Sequence, residues 1–308
     1  MTETNTKFII DYEDEGKRID SFLSEVLGDI SRSKIQSFIK SEDILVNSKP
    51  IKPSYQLKQE DEVTCSDLQQ EITNIPPQNI ALDIVYEDEN MLVVNKPSGM
   101  LTHPTTVEKE GTLVNALKFK YGENLSDING PFRRGILHRL DRNTSGLLMV
   151  AKNNEAHEFL TEQIKTKSAI RQYLAVVKGA IREDAVLDFP IGRHKSQPQK
   201  MDVVFDEKGK PSITELRVIE ILKDYTFVEL TLKTGRTHQI RVHLSHIGHP
   251  VYNDTLYGFG RVKIKTEDQV LMAYKLKFTK PFGSEIIELE IPRDEKLNKV
   301  LDYLGNIK

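Results

Sequence analysis

A carboxylate set among cations stands out between residues 135 and 152, GILHRLDRNTSGLLMVAK. Asp141 lies between Arg139 and Arg142. The continuous apolar run from Leu147 to Ala151 that follows predicts a buried strand. Because loops anchored on rigid strands often carry functional groups, a carboxylate in this loop is suited to nucleophilic or general-base chemistry. Aspartate is also common in turns for structural reasons, so the local pattern alone leaves both interpretations open.

A short helix that presents an arginine is predicted near residue 240. It runs from Thr237 to Ile247, because threonine is a common N-cap and Gly248 and Pro250 are typical of a helix end. On this helix His238 and Arg241 share one face, since residues three positions apart are neighbours. Arg241 is therefore held at a defined point rather than on a flexible segment.

Four histidines near this helix suggest a metal site as an alternative; they are His238, His243, His246 and His249. Spacings of three residues bring side chains together. The cluster lacks the carboxylate or thiolate partners usual at zinc sites, and it overlaps a helix end, where histidine can simply bond the last carbonyl groups. We therefore expect no metal, and a metal-dependent RNA hydrolase is the least favoured function.

Two other stretches place reactive types of side chain next to strands. In residues 167–179, KSAIRQYLAVVKG, Tyr173 follows basic residues, and an aromatic ring beside cations is suited to stacking on an unpaired base. Tyrosine is equally an ordinary strand residue. In residues 93–104, VVNKPSGMLTHP, a strand leads into a turn next to Lys96 and His103, where structural and functional interpretations are balanced. The chain has no Walker-type phosphate loop and no convincing dinucleotide-binding glycine pattern, so we expect no nucleotide cofactor.

The first part of the chain predicts a small helix-helix-hairpin module over residues 13–72. Apolar residues at helical spacing predict a helix that begins near Ile19, and Ser31 is the expected N-cap of a second helix. The second helix exposes three cations, namely Arg32, Lys34 and Lys40. Short strands separated by turn residues follow; they are Ile44 to Val46, Lys49 to Lys52 and Glu62 to Thr64.

A proline doublet, Pro76 and Pro77, marks a boundary because it stiffens the chain and cannot donate ladder hydrogen bonds. We place a linker at residues 73–79 and a second domain at residues 80–308. Recurring strand-like runs joined by short turns favour an α+β fold, with a mixed, mostly antiparallel sheet and flanking helices. The predicted strands are Met91 to Asn95, Leu147 to Ala151, Gln172 to Lys178, Ser212 to Ile221, Tyr225 to Lys233, Gln269 to Phe278 and Glu285 to Ile291.

The composition narrows the classes of function. The 308 residues are enough for two domains, and a formal net charge of -3 argues against nucleic-acid binding by bulk charge. Any RNA contact must then come from local basic patches. The single cysteine, Cys65, cannot form an intramolecular disulfide, which fits a reducing, cytoplasmic setting. We find neither a signal-peptide pattern nor an apolar run of membrane-spanning length, so we expect no membrane partner.

Together and in this order, these stretches resemble the RluA-type family of pseudouridine synthases over roughly residues 80 to 295. The segment HRLDRNTSGLL, residues 138–148, is highly specific to that family. The first segment separately resembles the RNA-binding module named after ribosomal small-subunit protein S-four, through RIDSFL, SRSKIQSFI and ILVNSKPIKPSYQLKQEDEV. The pairing of that module with this catalytic domain is characteristic.

The resemblance implies a basic cleft for RNA and assigns roles to individual residues. Asp141 matches the family's catalytic aspartate, Tyr173 its active-site tyrosine, and Arg241 the basic residue paired with the aspartate. Arg139 matches the arginine that fills the stack left by the extruded uridine. The other expected RNA contacts are Arg32, Lys34, Lys40, Arg142, Arg236 and His238.

Isomerising uridine to pseudouridine moves the ribose bond from a ring nitrogen to a ring carbon without net redox change, so no cofactor is needed. An ionised Asp141 either forms a glycosyl ester or abstracts a ribose proton, and the sequence leaves both routes open. A neighbouring guanidinium favours the charged form of a carboxylate, which assigns that task to Arg241. A base inside a helix is out of reach, so the uridine must be flipped out.

The expected partner is RNA, and we expect the chain to act as a monomer. The pairing of the two domains favours large-subunit ribosomal RNA as the substrate, with transfer RNA as the alternative. A function of another class is a non-catalytic RNA-binding or ribosome-associated protein whose large domain is a degenerate scaffold. The presence of Asp141, Tyr173 and Arg241 favours the enzyme over that alternative.

Overall fold

A computed structural model describes residues 6–27, 30, 32–66, 75–105, 108–197, 199–258, 262, 264 and 266–306. The chain divides into two compact units. The first unit takes in Met1–Leu92, Met100–Arg139 and Met149–Glu158. The second unit takes in Val93–Gly99, Leu140–Leu148 and Phe159–Lys308. Neither unit is one continuous segment of the chain.

The described residues form six α-helices and fifteen β-strands. The α-helices are α1 (Ile19–Val26), α2 (Arg32–Lys40), α3 (Leu113–Tyr121), α4 (Asn154–Lys165), α5 (Gln239–His246) and α6 (Glu295–Gly305). The strands are β1 (Thr6–Ile9), β2 (Ile44–Val46), β3 (Lys49–Pro50), β4 (Glu62–Cys65), β5 (Ile84–Glu87), β6 (Met91–Lys96), β7 (Ser145–Ala151), β8 (Ile170–Lys178), β9 (Ala185–Asp188), β10 (Ile191–Arg193), β11 (Met201–Val203), β12 (Ile213–Leu222), β13 (Tyr225–Leu232), β14 (Leu271–Thr279) and β15 (Ile286–Glu290).

The first unit contains an antiparallel sheet in the order β1-β4-β2-β3, with α1 packed against α2. Helix α1 buries the apolar stripe that predicted it, which consists of Ile19, Phe22, Leu23 and Val26. Helix α2 likewise buries Ile35 and Ile39. The two predicted helices are confirmed because an apolar stripe at helical spacing is a local property that packing then buries. Ser31, the expected N-cap of α2, lies outside the described residues.

Two details of this module differ from the sequence prediction. The strand expected over Lys49 to Lys52 ends at Pro50, because proline has no N–H with which to continue a ladder. Strand β1 was missed, although it pairs with β4 through Phe8 and Val63. The linker proposed at residues 73–79 stays a prediction, and residues 73 and 74 lie outside the described residues.

The larger sheet has the order β5-β6-β7-β14-β8-β13-β12-β9, with β15 pairing on β14. Strands β7 and β14 run parallel, whereas β14 with β8, β8 with β13, β13 with β12, β12 with β9 and β14 with β15 are antiparallel. The prediction of a mixed, mostly antiparallel α+β fold is confirmed. All seven strands predicted for this domain form, with boundaries shifted by one or two residues.

Glycine at position 146 allows β7 and β14 to approach closely. Gly146 pairs with Ala273 of β14, and its φ of 117° lies in a region that side chains disfavour. A Cβ atom at this position would lie 2.0 Å from the carbonyl oxygen of Ala273. The parallel pairing that follows the Asp141 loop therefore requires glycine here.

Helix α6 closes one side of the second unit with an apolar face. Leu297, Val300 and Leu304 are buried in a cluster that includes Val176 of β8. The helix begins after Asp294, whose carboxylate accepts hydrogen bonds from the Leu297 N–H and from Ser145 Oγ. The cap of α6 is thus tied to the first residue of β7. Among the described residues, no helix has the length and apolar character needed to cross a lipid bilayer.

Candidate active site

The loop that carries Asp141 is held by its own main-chain carbonyl groups. The carbonyl oxygen of Arg142 accepts hydrogen bonds from Lys96 Nζ at 3.1 Å and from the Gly99 N–H at 2.9 Å. The next carbonyl oxygen, that of Asn143, accepts from Ser98 Oγ at 3.0 Å and from Lys296 Nζ at 3.3 Å. These four hydrogen bonds restrict the main chain of the loop and so hold Asp141 at a defined position.

Arg241 joins two carboxylates inside the second unit. Its Nη1 donates to Asp141 Oδ2 at 2.9 Å, while Nε and Nη2 donate to the two oxygens of Asp254 at 2.7 and 2.9 Å. The Arg241 side chain is 7% exposed, that of Asp254 is fully buried and that of Asp141 is 18% exposed. The predicted pairing of Asp141 with Arg241 is present, and the bidentate bond to Asp254 fixes the orientation of the guanidinium.

The pKa of Arg241 shows which interactions dominate its surroundings. Burial alone would lower this pKa, but the hydrogen bond to Asp254 and the charges of Asp141 and Asp254 raise it above its ordinary value. The guanidinium is therefore a permanent cation beside Asp141. A fixed positive charge at hydrogen-bond distance favours the ionised form of a carboxylate.

The start of helix α5 differs from the prediction. Thr237 is not the N-cap, because the helix begins at Gln239 and His238 occupies the cap position with a left-handed backbone, φ 57° and ψ 16°. This turn aims the imidazole of His238 at two partners. Nδ1 lies 2.9 Å from the hydroxyl of Tyr257, and Nε2 lies 3.9 Å from Asp141 Oδ1. The positive φ explains the error, since only the tertiary contacts of His238 compensate for it.

The sequence analysis missed both Tyr257 and Asp254. The centre of the Tyr257 ring lies 5.0 Å from Arg241 Cζ, so the ring covers one side of the guanidinium. The hydroxyl accepts a hydrogen bond from the Met201 N–H at 2.8 Å. Both missed residues lie in the segment Asn253 to Gly258, which reads in the sequence as an ordinary polar turn.

Tyr173 is buried on β8, and the sheet register places it near the loop of Asp141. It pairs with Ala273 of β14, and Ala273 pairs in turn with Gly146 of β7. Two strand spacings separate the main chains of Gly146 and Tyr173, a distance of about 10 Å. Asp141 lies five residues before Gly146, in the loop that leads into β7, and Arg241 lies on α5. All three residues, Tyr173, Asp141 and Arg241, belong to the second unit.

The other histidines have structural partners. The buried ring of His243 lies 3.0 Å from Thr214 Oγ1 and 2.9 Å from the carbonyl oxygen of Phe189, and His249 Nδ1 lies 2.7 Å from the carbonyl oxygen of Lys178. His246 is exposed and its ring contacts that of Phe189. These side chains connect α5 and the following turn to neighbouring strands.

Comparisons with known proteins agree with this geometry. A family model described as RNA pseudouridylate synthase matches residues 90–246, a range that contains Asp141, Tyr173 and Arg241, and an S4 domain model matches residues 17–63. This chain belongs to the RNA pseudouridylate synthase family. It is therefore an enzyme that isomerises uridine in RNA, and the non-catalytic alternative is set aside.

Relatives of this pseudouridine synthase extend over nearly the whole chain. It is 43% identical over 293 residues to "Uncharacterized RNA pseudouridine synthase YlyB" of Bacillus subtilis, which covers 95% of each chain. It is 37% identical over 302 residues to "Ribosomal large subunit pseudouridine synthase D" of Xanthomonas campestris, covering 94% of this chain and 89% of that relative. The solved structure "Human RNA Pseudouridylate Synthase Domain Containing 1" is similar with a TM-score of 0.56 and 28% identity, covering 75% of this chain and 97% of that one.

The basic residues that the sequence singled out lie in both units of the synthase. Arg139 belongs to the first unit, where it lines a small cavity with Asp11, Glu13, His103 and Arg133. On α2, Lys34 and Lys40 are exposed, and the exposed Arg32 forms an ion pair with the buried Asp20 at 2.9 Å. In the second unit Arg142, Arg236 and His238 are each partly exposed.

Lys96 is a fully buried lysine that supports the Asp141 loop. Its Nζ donates to the carbonyl oxygens of Pro97 at 2.8 Å and of Arg142 at 3.1 Å. Burial lowers the pKa of Lys96 to about 7, although the charge of Asp141 opposes that shift. Both carbonyl groups can be satisfied by a neutral amine as well as by an ammonium group, so the loop keeps its support when the proton leaves.

We expect Lys96 to make the stability of the synthase rise with pH. Below about pH 7 the folded and unfolded states both bind the proton, and the folded state bears the cost of burying a charge. Between about pH 7 and the ordinary lysine value of 10.5, only the unfolded chain binds it, so the free energy of unfolding increases with pH. The stability of wild type relative to Lys96→Met should therefore increase by about 2 kcal/mol from about pH 6.5 to pH 9.

Urea unfolding at a series of pH values measures this difference. The matched control is Lys299→Met on α6, which changes the same type of side chain at an exposed position and should run parallel to wild type. A constant gap between wild type and Lys96→Met across this pH range would show that the proton of Lys96 is not linked to folding.

Proposed function

We propose that Asp141 performs the isomerisation, with Arg241 keeping it ionised and with Tyr173 bounding the pocket of the uracil. The observation that carries this proposal is the 2.9 Å hydrogen bond from Arg241 Nη1 to Asp141 Oδ2. The loop of Asp141 is itself held by hydrogen bonds to the carbonyl oxygens of Arg142 and Asn143. A buried arginine that already satisfies Asp254 has no structural need of a second carboxylate. Its pairing with the partly exposed Asp141 is best explained by the chemistry of that carboxylate.

The reaction breaks the bond between ribose C1′ and uracil N1 and forms a bond between C1′ and C5. The hydrogen on C5 leaves as a proton and N1 gains one, so atoms and electrons balance without a cofactor. In one route Asp141 forms an ester at C1′; in the other it removes the C2′ proton to give a glycal. Both routes begin from an ionised Asp141, which is the state that Arg241 favours.

RNA recognition is assigned to the cations around the site and on the first module. In this proposal Arg142, Arg236 and His238 contact the RNA near the target, and Arg139 replaces the flipped uridine in its stack. The exposed cations of α2 bind phosphates of the same RNA. The S4 domain match to residues 17–63 supports this role for α2.

Charge reversal on α2 tests that assignment. We expect Lys34→Glu/Lys40→Glu to weaken binding of a structured ribosomal RNA fragment about tenfold or more, and to reduce the slope of log affinity against log salt by about 2. The rate of the bound complex should stay within about twofold, since α2 takes no part in the chemistry. Binding would be measured by fluorescence anisotropy over a sodium chloride series, and the rate by single turnover.

The control for that pair makes the same charge change on other exposed helix positions. Lys120→Glu/Lys299→Glu alters α3 and α6, and it should leave both the affinity and the salt slope close to wild type. Equal losses in the two double variants would indicate a general effect of net charge and remove the special role of α2.

The substrate that we favour is large-subunit ribosomal RNA. Two relatives that match 94% and 98% of this chain are named ribosomal large subunit pseudouridine synthase D, and the S4-type module is suited to a large, structured RNA. Transfer RNA is the alternative substrate. A ribosomal target also fits the cytoplasmic setting and the monomer that we expect from the sequence.

Carbodiimide labelling followed by primer extension identifies the substrate. Ribosomal and transfer RNA would be compared from cells that lack this protein and from the same cells complemented with wild type or with Asp141→Asn. Stops in large-subunit RNA that disappear on deletion and return only with wild type would establish the reaction and its position. Stops lost from transfer RNA instead would show that transfer RNA, not ribosomal RNA, is the substrate. An unchanged pattern in both RNAs would contradict both proposed substrates.

A further inference from the structure

Tyr257 has a fixed position beside the pair formed by Asp141 and Arg241. Its N–H donates to Asp254 Oδ1 at 3.0 Å, and its carbonyl oxygen accepts a hydrogen bond from Ser245 Oγ at 3.0 Å. Because Asp254 also holds the guanidinium of Arg241, the same carboxylate sets the positions of both side chains. The ring of Tyr257 therefore meets Arg241 in a defined geometry.

The ring of Tyr257 contacts two groups of the site. Arg241 Cζ lies 5.0 Å from its centre, and the imidazole of His238 meets it edge to face at 5.5 Å with an angle of 76°. An aromatic face stabilises a guanidinium that is largely removed from water. The ring thus packs against the cation that holds one oxygen of Asp141 and against the imidazole that faces the other.

The hydroxyl of Tyr257 lies within hydrogen-bond distance of one ring nitrogen of His238. Burial raises the pKa of Tyr257 to about 12, so the hydroxyl keeps its proton at neutral pH. Its oxygen accepts from the Met201 N–H, and its proton is then available to His238 Nδ1 at 2.9 Å. A neutral imidazole that accepts at Nδ1 carries its own proton on Nε2.

His238 is held in a strained conformation that brings this Nε2 toward Asp141. Its φ of 57° lies in the left-handed region, which few residues other than glycine adopt. Nε2 lies 3.9 Å from Asp141 Oδ1, whereas Arg241 Nη1 holds Oδ2. Catalytic hydrogen bonds are often longer than ideal before substrate binds and shorten in the complex.

We propose that Tyr257 is a positioning residue for the isomerisation, which acts by holding His238 with its Nε2–H toward Asp141 Oδ1. The imidazole then orients the oxygen of Asp141 that meets the ribose, while Arg241 holds the opposite oxygen. The hydroxyl of Tyr257 also accepts a hydrogen bond from the N–H of Met201, the first residue of β11. The same hydroxyl therefore contacts both β11 and the imidazole that orients Asp141. The inference rests on the proposed role of Asp141 and extends it to two residues outside the catalytic set.

Removing the hydroxyl and changing the imidazole test whether the two side chains act in series. Tyr257→Phe keeps the ring against Arg241 and should lower the single-turnover rate about 3- to 10-fold, with RNA affinity within about twofold of wild type. His238→Asn, whose short amide does not reach the position of Nε2, should lower the rate about 10- to 100-fold. His238→Gln places an N–H near that position and should recover most of this loss.

The double variant Tyr257→Phe/His238→Asn separates positioning from a general structural role. If Tyr257 acts through His238, the double variant is no slower than His238→Asn alone. Losses that multiply would contradict the proposal, and so would a wild-type rate in Tyr257→Phe. Thermal unfolding of each variant, with the RNA-free protein, shows whether any of them loses its fold.

The pH dependence gives a second readout that a merely structural role would not produce. When His238 is protonated both ring nitrogens carry protons, so the hydroxyl of Tyr257 is not needed to select Nε2. The groups that face His238 are Asp141 from the loop before β7 and Tyr257 from the segment Asn253 to Gly258. The cations Arg241 and Lys200 lie against the ring of Tyr257. The ratio of wild-type to Tyr257→Phe rates cancels titrations that the two proteins share. It should fall toward 1 as lower pH protonates His238, and a ratio that stays constant once His238 is protonated would contradict the proposal.

Asp141→Asn in the same assay distinguishes this inference from the proposed function. An active Asp141→Asn enzyme would overturn the role of Asp141 itself. An inactive Asp141→Asn enzyme together with unimpaired Tyr257→Phe would overturn only the role of Tyr257.

Discussion

Asp141→Asn is expected to abolish pseudouridine formation, with the single-turnover rate reduced by at least about a thousandfold. The amide has nearly the same shape as the carboxylate and still fits beside Arg241 Nη1 through its oxygen. It has no negative charge with which to form a glycosyl ester or to remove a ribose proton. RNA affinity should stay within a few-fold, since a neutral amide removes no contact to phosphate.

The measurement uses RNA labelled with tritium at uracil C5, whose release reports formation of the new carbon bond. Asp302→Asn is the matched control, because it makes the same chemical change at an exposed position of α6 and should leave the rate unchanged. Tritium release by Asp141→Asn at a tenth of the wild-type rate or more would rule out a catalytic carboxylate at this position.

Arg241→Gln is expected to reduce both stability and activity. It removes the cation that Asp254 and Asp141 share, and it leaves the fully buried Asp254 without its bidentate partner. Breaking a buried ion pair from one side typically costs about 3 to 5 kcal/mol in the free energy of unfolding. We also expect the isomerisation rate to fall by about a hundredfold or more, because Asp141 loses the charge that favours its ionised form.

A second substitution separates the two effects of Arg241→Gln. In Arg241→Gln/Asp254→Asn the unpaired buried carboxylate is gone, so stability should largely recover while activity stays low. Arg217→Gln is the control for loss of a more exposed ion pair, since Arg217 is 59% exposed and its pair with Glu229 is worth about 1 kcal/mol at most. Urea unfolding and tritium release would be measured on all three proteins. Full recovery of activity in the double variant would show that Arg241 serves only to neutralise Asp254.

Local patterns in the chain predicted most of the elements around the site. The fully buried run of β7 was predicted as Leu147 to Ala151 and forms as Ser145–Ala151, and the stripe of α1 is buried as expected. Such patterns are reliable because the apolar period of a helix or strand is written in consecutive residues. The predicted start of α5 at Thr237 was wrong, because a local pattern typical of a helix cap does not reveal the left-handed turn at His238.

Partners distant in the chain could not be read in this way. Asp254 lies 13 residues from Arg241 in an ordinary polar turn, and nothing in the local sequence shows that its two oxygens meet the guanidinium. The register that brings Tyr173 beside Ala273, and Ala273 beside Gly146, joins three strands separated by long segments. Pairing of this kind depends on the folded sheet rather than on the residues of one strand.

The sequence by itself determined the family, the fold class and the three residues expected at the centre of the chemistry, because side-chain types in a specific motif and apolar periods are local properties. Only the tertiary structure decided how those residues are held. Lys96 and Ser98 bind the Asp141 loop through its carbonyl groups, and Asp254 and Tyr257 orient the two groups that face the carboxylate. These supports act across long separations in the chain, where hydrogen-bond geometry and burial exist only after the sheet and α5 have packed.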